Sequence, residues 1–564
     1  MAGGSLADPA ALTGGAATAS RESTDDVASR SALRSRTPGE ARWSTLVGKA
    51  LSGSCGNTPL DSPVGLRPSI VVSNGAVHDT RETGRSRAPY RAVRDYRAQP
   101  WQLRHYAGRC LIAWIALCLI GSVAQAEEYR YPYRDPYLAT ATSALLEGNR
   151  QTSRPRRLAV HVPGLAGRNA LPTLEGRGNV SVAFYPQSYP APLLFILPGI
   201  GSNGYSGLGT YFAELFHKQG FHIVVMPSPM SWSFGLAASR SGAPGFAPDD
   251  ARDLYDAMQR TLAVLATCYK VEPTRMALIG ASLGGLEGAY LSLIDADEQK
   301  IGIDTYLLMN PPLDLNYALK KVDEWNARST KFGRAASLEL VDRALAIVDA
   351  FSTEDRSDPA VFTRFAAEFA KFTTEEIQFL LAKALQLSLP ELVYVTQVIH
   401  DPAHRPADMR EARRRIEAAN NVTFADYAER IALPLWRQEG PQGRANLNEF
   451  VRRGSLAAIR ERLRRNPRVY IAHNADDPLT ARQSILELKK TLGNHMVVFP
   501  HGGHLGNLWY PDNKELVRRI VASTAGGAGQ RLDTRAARLG RSSVPSGVRC
   551  YEKDGADTLL LRRR

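Results

Sequence analysis

The chain has 564 residues, enough for two or three domains, with 44% hydrophobic residues and a formal net charge of +14. Residues up to Ala126 carry about +6 of that charge and those after Thr524 about +5, leaving roughly +3 for the body. The body has no aromatic-interleaved Lys/Arg stripe, so its basicity does not argue for nucleic acid, and five cysteines are too few for a disulfide framework.

Residues 1–100 are rich in Ala, Gly, Ser and Arg and lack a sustained apolar period, which predicts disorder. Arg104, His105 and Arg109 then precede the apolar run from Cys110 to Ile120. Gly121-Ser122-Val123-Ala124-Gln125-Ala126 supplies an A-x-A exit before Glu127. Basic, apolar and small-residue segments in that order, at about 104–126, read as a secretory signal peptide displaced from the N-terminus. The apolar run is short for a bilayer, so no stable membrane span is expected after signal removal, and the protein is expected to be periplasmic or secreted. No methionine lies between Met1 and Met226. Translation is therefore expected to begin near Val93 or Leu103 at a non-AUG codon, which makes the start of the 1–126 extension a mis-called one. Cys110 and Cys118 fit no lipoprotein box. Of the two cysteines left after processing, Cys268 reads as a buried thiol and Cys550 falls in the tail; a disulfide between them is the alternative.

Leu193 to Leu197 is an apolar strand candidate, followed by Pro198-Gly199-Ile200-Gly201-Ser202-Asn203-Gly204. Glycines let this backbone approach a ligand closely, and the Ile200 amide is a candidate hydrogen-bond donor. Gly199, Gly201 and Gly204 also match G-x-G-x-x-G ahead of a helix at Tyr211 to Lys218. The next strand, Phe221 to Met226, runs into Pro227-Ser228-Pro229 and offers no acid for a ribose, so a dinucleotide-dependent oxidoreductase is the weaker reading.

Arg275 to Ile279 predicts a strand buried in a parallel sheet, and Leu283 to Ile294 a packed helix. Between them, Gly280-Ala281-Ser282-Leu283-Gly284 sets a serine among glycines at a strand-to-helix turn. Only small neighbours permit that backbone, which would display the Ser282 hydroxyl as a nucleophile with the Leu283 amide beside it. The strand Thr305 to Asn310 ends in Pro311-Pro312. After it, 316–467 reads as helices: Leu338, Val341, Leu345 and Val348 keep helical spacing, and Thr373-Thr374-Glu375-Glu376 is a capping box. Phe362, Phe365, Phe369 and Phe372 form a stripe, read first as packing and second as an apolar wall for a substrate group.

Strand candidates resume at Arg468 to His473 and His495 to Pro500. The first leads into Asn474-Ala475-Asp476-Asp477-Pro478, where Asp477 is the candidate acid and Asp476 its rival. The second leads into His501-Gly502-Gly503-His504, where His504 is the candidate base and His501 a neighbour. His-x-x-His lacks a third ligand nearby, so no metal is expected. The tail, 525–564, is Gly-, Arg- and Ser-rich and predicted disordered.

Ser282, Asp477 and His504 in that order, with a glycine loop upstream and helices between, resemble the α/β-hydrolase superfamily from about Val160 to Ser523. Many members carry His-Gly where this chain has Pro198-Gly199, a departure that touches the hydrogen bonding of that loop and not its backbone donor. The resemblance implies an α/β fold, a doubly wound and mainly parallel sheet from 127–315 and 468–524 with an inserted helical cap at 316–467. It implies a Ser282–His504–Asp477 triad with the Ile200 and Leu283 amides as oxyanion hole, no cofactor, and a small-molecule ester or peptide as substrate. A secreted serine hydrolase acting on carboxylic esters is the first expectation. An exopeptidase of the prolyl-aminopeptidase type, with an acidic anchor in the cap, is the alternative. A non-catalytic hydrolase-fold binding protein is a third reading, although such a protein would ordinarily have lost a triad member.

Overall fold

The computed structural model describes residues 129–147, 155–168, 177–205, 207–355, 358–438, 443–525, 551–553 and 559–561. The N-terminal extension, the expected signal segment and most of the tail lie outside the described residues.

Eight strands form one sheet: β1 (Leu158–Val162), β2 (Val180–Tyr185), β3 (Leu193–Leu197), β4 (His222–Val225), β5 (Met276–Ala281), β6 (Thr305–Met309), β7 (Val469–Asn474) and β8 (Met496–Phe499). Their order is β1-β2-β4-β3-β5-β6-β7-β8. The β1–β2 and β2–β4 pairs are antiparallel. All other pairs are parallel. Every residue of β3, β5 and β6 is buried, which is why these strands are unbroken apolar runs rather than alternating ones. The sheet is doubly wound. From β3 the chain moves outward to β4 and then returns to β5 on the other side of β3. Loops leaving the ends of β3 and β5 therefore part in opposite directions and open a crevice there. This is the α/β-hydrolase fold that the sequence resembles.

Among the helices are α1 (Pro136–Ala141), α2 (Ala247–Tyr269), α3 (Leu283–Glu298), α4 (Leu315–Asn326), α5 (Pro359–Phe369), α6 (Thr374–Gln386) and α7 (Leu389–His400); α2 and α3 pack on the sheet, and α4 to α7 belong to the stretch between β6 and β7. At the far end of α3, the fully buried Asp295 accepts from the Tyr255 hydroxyl at 2.8 Å, the Tyr306 hydroxyl at 3.0 Å and the amides of Gly302 and Ile303. Arg468 pairs with it at 3.2 Å. One carboxylate thus ties α2, α3, β6 and the entry to β7, and it can be buried because its lone pairs are all used.

Between β6 and β7 the chain is helical. The capping box forms: Thr373 Oγ1 accepts from the Glu376 amide at 3.3 Å and Glu376 accepts from the Thr373 amide at 2.7 Å. Phe362, Phe365, Phe369 and Phe372 are all buried. Phe365 meets Phe369 at 4.7 Å between ring centroids and Phe369 meets Phe372 at 5.6 Å, so this part of the stripe is packing inside the cap. Phe362 leaves the cap instead and stacks on Trp509 at 4.5 Å. A second apolar layer joins cap to sheet: Trp325, Leu389, Leu392, Val393, Tyr427 and Trp436 pack together, with Ile200 and Leu283 against them. The stretch Thr374–His400 has the length and apolarity of a membrane-crossing segment, yet it divides into α6 and α7, and more than half of its apolar window is buried within the protein.

One expectation is corrected. Cys268, near the end of α2, is disulfide-bonded and not a free buried thiol; its partner lies outside the described residues. The tail also contains an element that its composition does not predict, an antiparallel pair of short strands, Tyr551–Lys553 and Leu559–Leu561.

Candidate active site

Ser282 links β5 to α3 with φ 54° and ψ −122°, a backbone region that costs a non-glycine residue energy and persists only when its surroundings fix it. Those surroundings explain the glycines. A Cβ on Gly284 would collide with the carbonyl oxygens of Leu197 and Pro198, and one on Gly280 with the carbonyl of Gly284. The Ser282 amide donates to Met309 O at 2.9 Å, which pins the turn to the end of β6. The serine heads the 16-residue α3, where the helix end favours negative charge on its oxygen.

His504 Nε2 lies 2.8 Å from Ser282 Oγ, and its Nδ1 lies 2.9 Å from Asp477 Oδ2. All three side chains are buried. A carboxylate can only accept, so Nδ1 carries the proton and Nε2 is free to accept one from the serine. Asp477 also accepts from Leu479 N at 2.9 Å and from Asn310 Nδ2 at 2.8 Å. Burial pushes the Asp477 carboxyl up, but the charge and hydrogen bond of His504, helped by His473 and Asn310, more than offset this and hold it below the usual carboxylate range. The rival Asp476 instead accepts the amides of Gly502 and Gly503 at 3.2 and 3.0 Å, while Asp477 is the acid bonded to His504 Nδ1. His501 is held by its carbonyl, which accepts from Tyr129 Oη at 2.9 Å.

The loop after β3 lies against the serine: a Cβ on Gly199 would sit 3.5 Å from Ser282 Cβ. Among the described residues, neither the Ile200 nor the Leu283 amide donates to a protein acceptor. Two amides without acceptors, one on the residue that follows the serine and one on the loop that lies against it, suit an oxygen that gains negative charge. The same loop is poorly placed for a dinucleotide. A Cβ on Gly201 would collide with Ser388 Oγ, so the residue that precedes α7 lies on one of the three glycines that a pyrophosphate would need to reach. Three residues beyond Ser388, Glu391 is buried with Oε2 lacking a hydrogen-bond partner among the described residues, and burial pushes its carboxyl up to about 7. Among the described residues, no group of three His, Cys, Asp or Glu side chains is placed to hold a metal ion.

Sequence reasoning missed several members of this neighbourhood. Asn310 is one; its signal is an asparagine at a strand end before Pro311-Pro312, and it takes φ 45°, a conformation asparagine tolerates better than most residues. Thr140 on α1 is another, and it accepts the His504 amide at 2.8 Å.

No family model and no curated protein matches the chain. Among solved structures it is similar to brefeldin A esterase, a bacterial homologue of human hormone-sensitive lipase, with 14% identity and a TM-score of 0.33 over 72% of this chain and 86% of that one. It is also similar to an acylaminoacyl peptidase, with 9% identity and a TM-score of 0.33 over 66% of this chain and 41% of that one. A third is the proline iminopeptidase of Mycobacterium smegmatis, with 14% identity and a TM-score of 0.31 over 65% and 98%. At these values the functional reading rests on the strand order and the side-chain distances.

Proposed function

We propose that this chain, an α/β-hydrolase by fold, is a secreted serine hydrolase that cleaves a carboxylic ester through an acyl-enzyme. The observation that carries the reading is the continuous hydrogen-bonded line from Ser282 Oγ through His504 to Asp477, with 2.8 and 2.9 Å links. In this reading His504 takes the serine proton as Oγ attacks the carbonyl carbon. The Ile200 and Leu283 amides hold the resulting oxyanion, and Asp477 stabilises the imidazolium. His504 then returns the proton to the departing alkoxide. A water, deprotonated by the same imidazole, attacks the acyl-enzyme and frees the acid and the serine. An ester with an apolar acyl or alkyl part is favoured, because Ile200, on the loop that lies against the nucleophile, and Leu283, which follows it in the chain, are packed against the apolar layer that joins cap to sheet.

A second reading, an exopeptidase, draws support from Glu391, a buried acid on α7 three residues past Ser388, which itself lies against Gly201 of the loop after β3. An ammonium group is a fitting partner for it. Fluorophosphonate labelling of the mature protein, followed by p-nitrophenyl esters and aminoacyl-p-nitroanilides, tests both. The expected result is labelling of wild type, none of Ser282→Ala, ester turnover reduced about 10⁶-fold in that variant, and little cleavage of anilides. Labelling that survives Ser282→Ala rejects the nucleophile. Cleavage of anilides but not esters moves the assignment to a peptidase. N-terminal sequencing of protein secreted by a bacterial host is expected to begin at Glu127, and a product retaining Ala126 rejects the signal.

A further inference from the structure

We infer that the segment from Tyr129 to Thr142, which precedes the sheet, is a strap that positions His504 for its reaction. This inference rests on the serine hydrolase reading. The His504 loop cannot specify its own shape. Gly502 has φ 151°, Gly503 φ 58° and Leu505 φ 65°, three left-handed residues within four, and such a backbone must be held by its surroundings.

The strap supplies much of that hold. The His504 amide donates to Thr140 Oγ1 at 2.8 Å, and the same hydroxyl donates to Pro136 O at 2.6 Å, so the threonine is oriented from its own helix. The Gly506 carbonyl accepts from Tyr131 Oη at 3.1 Å, and from the Thr142 hydroxyl at 3.0 Å, which shares its one proton with Ala139 O at 2.7 Å. The His501 carbonyl accepts from Tyr129 Oη at 2.9 Å. The fit also explains two glycines of the loop: a Cβ on Gly503 would strike Pro136 O and one on Gly506 would strike Ala139 O. From the other side, Asp476 holds the amides of Gly502 and Gly503. The strap reaches the cap as well, through Tyr133 Oη to Phe362 O at 3.1 Å and Tyr137 packed edge-on to Trp325 at 5.6 Å. The histidine loop, the strap and the cap therefore form one connected body, and the imidazole keeps both its 2.8 and 2.9 Å contacts because its main chain is fixed from the strap side. Thr140 is a positioning residue in this arrangement; it does not touch the serine.

The test compares Thr140→Val, which keeps shape and loses the hydroxyl, with Thr140→Ser, which keeps the hydroxyl. Thr261→Val is the control. It removes a buried threonine hydroxyl that, among the described residues, bonds only Ala257 O within α2. The expected result for Thr140→Val is kcat for a p-nitrophenyl ester lowered about tenfold or more with KM within about twofold, and fluorophosphonate labelling slowed by the same factor. Thr140→Ser is expected within about threefold of wild type, and Thr261→Val is expected to lose melting temperature without losing kcat. Tyr131→Phe, which removes one of the two donors to Gly506 O and keeps the ring, is expected to lower kcat about two- to fivefold and covers the case in which Thr140→Val fails to fold. A Thr140→Val enzyme as active as the Thr261→Val control overturns the strap, as does a Thr140→Ser variant as slow as Thr140→Val. If these results come with Ser282-dependent labelling in wild type, the strap alone falls. If wild type takes no label, the hydrolase reading falls and the strap with it.

Discussion

At the residue scale the acid of the site is the instructive case. A carboxylate as buried as Asp477 is stabilised only by groups that use its lone pairs, and Asn310 and Leu479 take two that His504 leaves. Asn310 is in the left-handed region, so most replacements would confound strain with the lost hydrogen bond. Asn310→Gly separates them, because glycine adopts φ 45° without strain. We expect Asn310→Gly to lower kcat/KM about tenfold or more, with a melting temperature within a few degrees of wild type. Asn310→Ala should show a similar loss of activity together with a further loss of stability, since alanine must bear the strain. Steady-state kinetics beside thermal melts at one pH decide it. Unchanged kcat/KM in the glycine variant would mean that Leu479 and His504 suffice to orient Asp477.

At the scale of elements, α7 carries a buried acid at a cost that depends on pH. Burial pushes the Glu391 carboxyl up to about 7, against an ordinary value of 4.5. Between those values the folded protein holds a proton that the unfolded chain has released, so stability falls as pH rises across that window. At pH 8 the penalty is roughly 3 kcal/mol by the 1.36 kcal/mol per pH unit relation, and at pH 4 it is near zero. Glu391→Gln is therefore expected to raise the denaturation midpoint at pH 8 and to change it little at pH 4.5, read by urea melts at both. A gain of equal size at the two pH values would show that packing, not ionisation, limits α7. The same element bears on what the sequence could convey. The turn at Ser282 was legible because its steric demand is local: Gly280, Gly284 and the serine stand within five residues. The capping box at Thr373 was legible for the same reason. Glu391 was not, because nothing in its own helix distinguishes an exposed glutamate from one turned inward. Thr140 was still less so; it meets a residue 364 positions away, and no periodicity encodes such a contact.

At the scale of the whole molecule, the compartment and the covalent structure belong together. Cys268 is disulfide-bonded, and disulfides persist where the surroundings are oxidising. The chain has five cysteines, and Cys55, Cys110 and Cys118 all precede Ala126. Removal of a signal peptide at Ala126 would leave Cys550 as the one partner within the same chain. We therefore expect non-reducing peptide mapping of protein produced through the secretory route of a bacterial host to join the Cys268 and Cys550 peptides. Such a bond closes a loop of nearly 300 residues, and restricting the unfolded chain to that extent is worth roughly 2–4 kcal/mol. Thermal melts are accordingly expected to drop several degrees when Cys550→Ser replaces wild type, with Ser282 labelling retained at low temperature, since the bond is on α2 and not at the edge that carries the site. Protein held in a reducing cytosol should show the lower melt of Cys550→Ser without any mutation. A Cys268 that reacts with a thiol reagent in native protein recovered from secretion by a bacterial host would contradict the pairing, and a Cys268 peptide joined to Cys55, Cys110 or Cys118 would contradict both the pairing and the processing on which it depends.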